Sequence, residues 1–192
     1  VRSLLTAILC VGIVVSASPV VEQGYYQLKS IAAQHLLNNA WLKMQQNGLS
    51  LSQKVKPWPW ADSWPLFKLH LPNTKSLIVM SSSSGESLAF GPGLHSSQVL
   101  PGDIGNSLIA AHRDTHFADI QSLQMGELIR VENSSGVFLT FEIDDIRVVD
   151  SRLEVPVLES DISRVTLISC YPFDSSVKDP PLRFLVSAKR VV

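Results

Sequence analysis

Val165-Thr166-Leu167-Ile168-Ser169-Cys170 reads as a buried β-strand, a short run of β-branched and aliphatic residues that stops at Tyr171-Pro172. Similar runs recur from Leu66 onward: Leu66 to Leu71, Ser76 to Ser81, Ser107 to His112, Glu127 to Glu132, Val137 to Ile143, Ile146 to Asp150 and Leu182 to Val192. Turn clusters such as Ser81-Ser82-Ser83-Ser84-Gly85 and Asn133-Ser134-Ser135-Gly136 separate them. About eight strands with few helical stretches predict a mainly β fold, a closed or nearly closed barrel. Asn133-Ser134-Ser135 also matches a glycosylation acceptor, but a hairpin turn accounts for it more simply.

Upstream of the strands the character of the chain changes twice. Residues 3 to 21 carry no charge, and the run Leu4 to Val15 follows the basic Arg2 and gives way to Ser16-Ala17-Ser18-Pro19. This predicts an export element over 1–21, either a cleaved signal peptide or a membrane anchor extended by Val20 and Val21. With Arg2 held inside, everything after Val21 is expected outside the cytoplasm. Between Gln23 and Asn47, Ala33, Leu37, Ala40, Trp41 and Met44 recur at helical steps, and Asn47-Gly48 supplies a stop. A helical linker is therefore expected within 22–56, as a stalk or as a helix packed on the domain. Pro57-Trp58-Pro59-Trp60-Ala61-Asp62-Ser63-Trp64-Pro65 forbids a helix and predicts an extended strap that opens the β-barrel domain over 57–192.

The whole chain carries 16 Lys and Arg against 17 Asp and Glu, so it lacks the basic excess of a nucleic-acid binder. With Cys10 inside the apolar leader, Cys170 is the one thiol of the exported part. Exported domains normally use cysteine in pairs, so Cys170 is either a buried small hydrophobe or a reactive thiol. Two other residues favour reactivity. His112 closes the strand from Ser107 and opens the polar turn Arg113-Asp114-Thr115-His116, a placement that suits a proton-transfer group. Arg183 lies among Leu182, Phe184, Leu185 and Val186, where an unpaired cation is costly. It is explained either by an acid partner such as Asp114 or by hydrogen bonding to an oxyanion. His112 and His116 are four apart, but Arg113 stands where the helical zinc motif needs Glu, so no metal and no cofactor is expected.

Together these motifs resemble the sortase family, cysteine transpeptidases of the bacterial cell surface. The resemblance rests on His112 in Ala-Ala-His-Arg-Asp-Thr-His-Phe, on Thr166-Leu167-Ile168-Ser169-Cys170, close to the family's T-L-x-T-C, and on Arg183 in the following strand. It covers roughly Leu66 to Val192. The Pro-Trp-Pro-Trp-Ala-Asp strap, His-Arg-Asp-Thr-His-Phe and Cys-Tyr-Pro-Phe are most similar to the subgroup of Gram-negative bacteria. Ser169 in place of Thr and Ala111 in place of Gly are departures that remove no catalytic group.

The resemblance implies a closed eight-stranded sortase-type barrel with short helices, preceded by the apolar segment and helix. It implies Cys170 as nucleophile, Arg183 as oxyanion donor and His112 as acid and base. The implied partners are an exported protein with a C-terminal sorting signal similar to L-P-x-T-G, an amine acceptor, and the inner membrane through the N-terminal segment, with the catalytic domain in the periplasm. Two alternatives are a cell-envelope cysteine hydrolase built on the same three residues and a non-catalytic anchored β-domain that binds a partner.

Overall fold

The computed structural model describes residues 28–48, 53–72, 74, 76–95, 99–154, 159–175, 177 and 179–191. The leader over 1–21, with Cys10, lies outside them, as do parts of the linker. Eight strands form one closed barrel: β1 (Pro65–His70), β2 (Leu77–Met80), β3 (Gly93–Leu94), β4 (Gly105–Ala110), β5 (Leu128–Glu132), β6 (Phe138–Asp150), β7 (Ser163–Cys170) and β8 (Leu182–Val191). Their order around the barrel is β1-β2-β3-β4-β7-β8-β6-β5, and β5 closes the ring against β1.

The expected barrel is present, with two adjustments to its strands. Val137 to Ile143 and Ile146 to Asp150 are not separate strands. They are one, β6, whose pairing with β8 shifts register between Ile143 and Asp145. Charged Asp144 and Asp145, which look like a turn in sequence, sit at that irregularity, and each meets an arginine: Asp144 takes two hydrogen bonds from Arg164, and Asp145 pairs with Arg147 at 3.1 Å. The eighth strand is instead the two-residue β3, too short to show alternation. It runs close against the segment after β2, so that a Cβ on Gly93 would lie 2.0 Å from the Ser82 carbonyl oxygen.

Alternation along the strands fills the barrel. Ile109, Val165, Leu167, Val186, Ala188, Ile129, Val131, Phe141 and Ile143 are buried in one cluster. The opposite parity of β4, β7 and β8 faces away from this set, and it carries Ala110, Ile168, Cys170, Arg183 and Ser187. This second face is the one that matters for chemistry.

Helix α1 (28–46) lies on the barrel. All five stripe residues, Ala33, Leu37, Ala40, Trp41 and Met44, are buried, and Leu37 and Trp41 pack with Ile78 and Met80 of β2. Gln34 accepts from the Ile78 amide at 3.0 Å and donates to the carbonyls of Ile78 and Phe90, serving backbone groups that the short β3 leaves without a strand partner. The Trp strap is pinned on two indoles, Trp58 against Phe90 and Trp64 beneath Lys54, whereas Trp60 is 79% exposed. At 133–136 the hairpin turn is present, with the Asn133 side chain accepting from the amides of Ser135 and Val137. No helix among the described residues is long and apolar enough to cross a membrane.

Candidate active site

β7 and β8 run antiparallel in a register that sets Cys170 directly opposite Arg183. Directly opposed residues have Cβ atoms about 4.5–5.5 Å apart, so thiol and guanidinium stems share one side of the sheet. On the other flank β4 runs parallel to β7, with Ala110 paired to Ile168, two residues before Cys170. Parallel neighbours end at the same rim. The three predicted residues thus lie toward the same end of the barrel.

His112 is not the last residue of its strand, as the sequence suggested. β4 stops at Ala110, and the chain stays tied to β7 for one more residue: the Ala111 amide donates to the Ile168 carbonyl at 3.2 Å, and Ser169 Oγ donates to the Ala111 carbonyl at 2.9 Å. His112 is exposed and stands one residue past this tether. The turn behind it is closed by the Phe117 amide, which donates to the His112 carbonyl at 3.1 Å, and the Phe117 ring is fully buried in the main core.

Cys170 is a free, half-buried thiol. The next hairpin rung, Tyr171 amide to Leu182 carbonyl at 3.0 Å, and the rings of Tyr171, Phe173 and Phe184 pack around the same strand ends. The acid that pairs with Arg183 is not Asp114. It is Asp179, on the β7–β8 loop, whose carboxylate accepts from Arg183 Nη2 at 2.7 Å. Nη1 donates to the carbonyls of Pro180 and Leu182. Asp179 reaches this position with φ at 51°, in the left-handed region that Asp tolerates better than most residues. Among the described residues three of the five guanidinium donors are occupied in this way, leaving Nε and one hydrogen on Nη2.

The turn after His112 holds a half-buried histidine and a buried arginine. Burial, followed by the charge of His112, lowers the pKa of His116 from 6.5 to about 4, so its ring is neutral at pH 7. Its Nε2 is inaccessible and makes no hydrogen bond among the described residues. Arg113 is only 9% exposed and donates from Nη2 to the carbonyls of Ser175 and Val177, at 2.5 and 2.7 Å. Sequence reasoning weighed Arg113 only against the zinc motif. The available signal was a second arginine wedged between candidate residues. No group of three His, Cys, Asp or Glu side chains suited to a metal ion occurs among the described residues.

Farther along the outer face of β4, β7 and β8, polar residues line a hollow that does not include Cys170, His112 or Arg183. Thr166 Oγ1 meets Asn106 Oδ1 and Ser187 Oγ, both at 2.9 Å, in a row across the three strands. Arg164, Arg147 and Asp145 line the same concavity of about 180 Å³. A larger hollow of about 490 Å³ is lined by β1 and β5 residues such as His70 and Arg130 and contains none of the three predicted residues.

Residues 69–191 match the family model described as the sortase domain. The chain belongs to the sortase family. It is 30% identical over 116 residues to sortase D of Bacillus subtilis (strain 168), a match that covers 60% of this chain. The chain spans 58% of the length of that relative. Among solved structures, a Clostridium perfringens sortase D5 transpeptidase superposes with a TM-score of 0.64 at 18% identity, covering 85% of this chain and 98% of that one. Clostridium perfringens sortase C, solved with the C-terminal cell wall sorting motif, gives 0.60 at 21% identity over 83% and 88%. Listeria monocytogenes sortase A gives 0.58 at 19% identity over 67% and 88%. These structures share the sortase fold with this chain.

Proposed function

We propose that this sortase-family chain is a cysteine transpeptidase that cleaves a C-terminal sorting signal and transfers the acyl part to an amine. The observation that carries the reading is the register of β4, β7 and β8, which gathers a free thiol, an arginine and a histidine at one rim. The Cys170 thiolate attacks the scissile carbonyl carbon, forming the C–S bond, and the tetrahedral oxyanion takes hydrogen bonds from the two open donors of Arg183. As the C–N bond breaks, His112 gives its proton to the departing amine. An incoming amine then attacks the thioester, His112 takes up its proton, and the Cys170 thiolate leaves. Cys170 is half-buried, so the residue is partly open to an approaching peptide.

The substrate class is an exported protein with a signal similar to L-P-x-T-G. Two similar folds support it, one described as a transpeptidase and one solved with a cell wall sorting motif. The motifs Pro57-Trp58-Pro59-Trp60, His112 to Phe117 and Cys170 to Phe173 support membership of the Gram-negative subgroup. The uncharged run over 3–21 supports an inner-membrane anchor with the barrel in the periplasm.

The test is Cys170→Ala with a sorting-signal peptide and an added amine. The parent is expected to yield an acyl-enzyme adduct at Cys170 by mass and an amine-ligated product, and the variant neither. Cleavage by the variant removes Cys170 from the mechanism; release of free acid alone, even with excess amine, makes the protein a hydrolase.

A further inference from the structure

We propose that Arg113 is a positioning residue, a buried latch that ties the turn bearing His112 to the loop joining Cys170 to Arg183. Its role for turnover rests on the transpeptidase reading above, whereas the latch itself is a property of the fold. A cation that is only 9% exposed normally has a carboxylate partner. Arg113 instead places Nη2 between two backbone carbonyls, Ser175 at 2.5 Å and Val177 at 2.7 Å. Both belong to the β7–β8 loop, more than sixty residues away in sequence.

Besides this contact, Phe173 packs against the main core and the Phe184 ring, and hydrogen bonds fasten the base of the loop. Tyr171 bonds to Leu182, and the Pro181 carbonyl accepts from the amide and hydroxyl of Ser151. Between these points the other described hydrogen bonds are short-range: the Ser175 amide to the Pro172 carbonyl, the Val177 amide to Ser175 Oγ, and the Asp179 and Pro180 oxygens accepting from Arg183. Among the described residues, Arg113 therefore supplies the long-range hydrogen bonds to the loop beyond Phe173. It is adjacent to His112 in the chain, the loop begins directly after Cys170, and Asp179 within the loop grips Arg183. One guanidinium thus couples the surroundings of all three site residues.

The chemistry of the contact calls for arginine. Two hydrogens on one Nη reach two carbonyls at a fixed angle, and the planar group keeps its charge when buried. Lysine keeps the charge without the fork, and glutamine keeps a two-hydrogen donor without the charge.

Arg113→Lys and Arg113→Gln are compared with the parent by steady-state kinetics on the sorting-signal peptide, by thermal melting, and by hydrogen exchange of the 171–181 and β7 segments. Misplacing reacting groups by about 1 Å costs about a hundredfold, so kcat is expected to fall about 10- to 100-fold with KM little changed. Arg113→Lys should retain more activity than Arg113→Gln. Exchange should quicken in 171–181 and stay slow in β7, with melting close to that of the parent. Parental kcat in both variants, or lost kcat with loop exchange unchanged, overturns the latch. Global unfolding of both variants also overturns it, since a latch predicts a local effect. If the parent itself does not turn over the peptide, the transpeptidase reading fails, and the exchange comparison still decides whether Arg113 holds the loop.

Discussion

Ser169 Oγ donates to the carbonyl of Ala111 at 2.9 Å, a buried side-chain bond that joins the residue before the candidate nucleophile to the residue before the candidate acid. The two flanking residues are 2% and 5% exposed, so water does not readily replace the hydroxyl. Ser169→Ala removes the donor from a buried carbonyl and is expected to cost about 1–3 kcal/mol. Turnover should fall with it, because His112 loses one of the ties that aim it. Ser169→Thr, which restores the family's usual residue with its hydroxyl, should keep both. Denaturant midpoints and kcat on the same preparations check the pair; full activity in the alanine variant would show that the tie does not aim His112.

Arg183→Lys keeps a cation opposite Cys170 but loses the forked donors. Removal of an oxyanion donor costs about 10²–10³ in kcat, and a loss of that order is expected here with KM little changed. Single-turnover acylation, followed by mass, checks the step directly. Unaltered acylation would confine Arg183 to its pairing with Asp179.

His116 makes a separate prediction about acid stability. Its folded pKa of about 4 lies below the unfolded 6.5, so the unfolded chain binds a proton that the folded one refuses between these values. The stability held above pH 6.5 is therefore lost as the pH falls toward 4. His116→Gln should show a smaller drop in melting temperature between pH 7.5 and 4.5 than the parent. Asp150, whose carboxyl Arg152 holds at about 2, titrates below this window and does not obscure it. An equal drop in both proteins would sink the prediction.

Trp41 tests whether α1 belongs to the folded unit. It is fully buried with Leu37, Ile78 and Met80, and Trp41→Ala should cost about 3–5 kcal/mol in a single cooperative unfolding transition. A transition unchanged from the parent would mean that the helix adds nothing to barrel stability.

Much of the barrel was legible because alternation leaves its trace in residues such as Val165, Leu167, Val186 and Ala188. What stayed hidden was hidden for physical reasons. Gly93-Leu94 is too short to carry a period, and its strand exists only through contact with β2 and β4. Asp144-Asp145 mimics a turn because the arginines that accommodate it come from elsewhere, one in β7 and one further along β6. Cys170, His112 and Arg183 stood out as chemically odd residues in apolar runs. Their supports did not: Asp179 and Ser169 are ordinary loop and strand residues until the fold brings them to their partners, and Arg113, visible beside His112, makes bonds to backbone that no side-chain pattern advertises.

The last of the described strands is not an edge of the barrel. β8 lies between β7 and β6 and pairs with both, so it must slot into a gap that its neighbours hold open or form around it. A chain emerging from N- to C-terminus therefore carries its thiol and its histidine before it carries their arginine. Until β8 is seated between β7 and β6, Cys170 has no arginine opposite it.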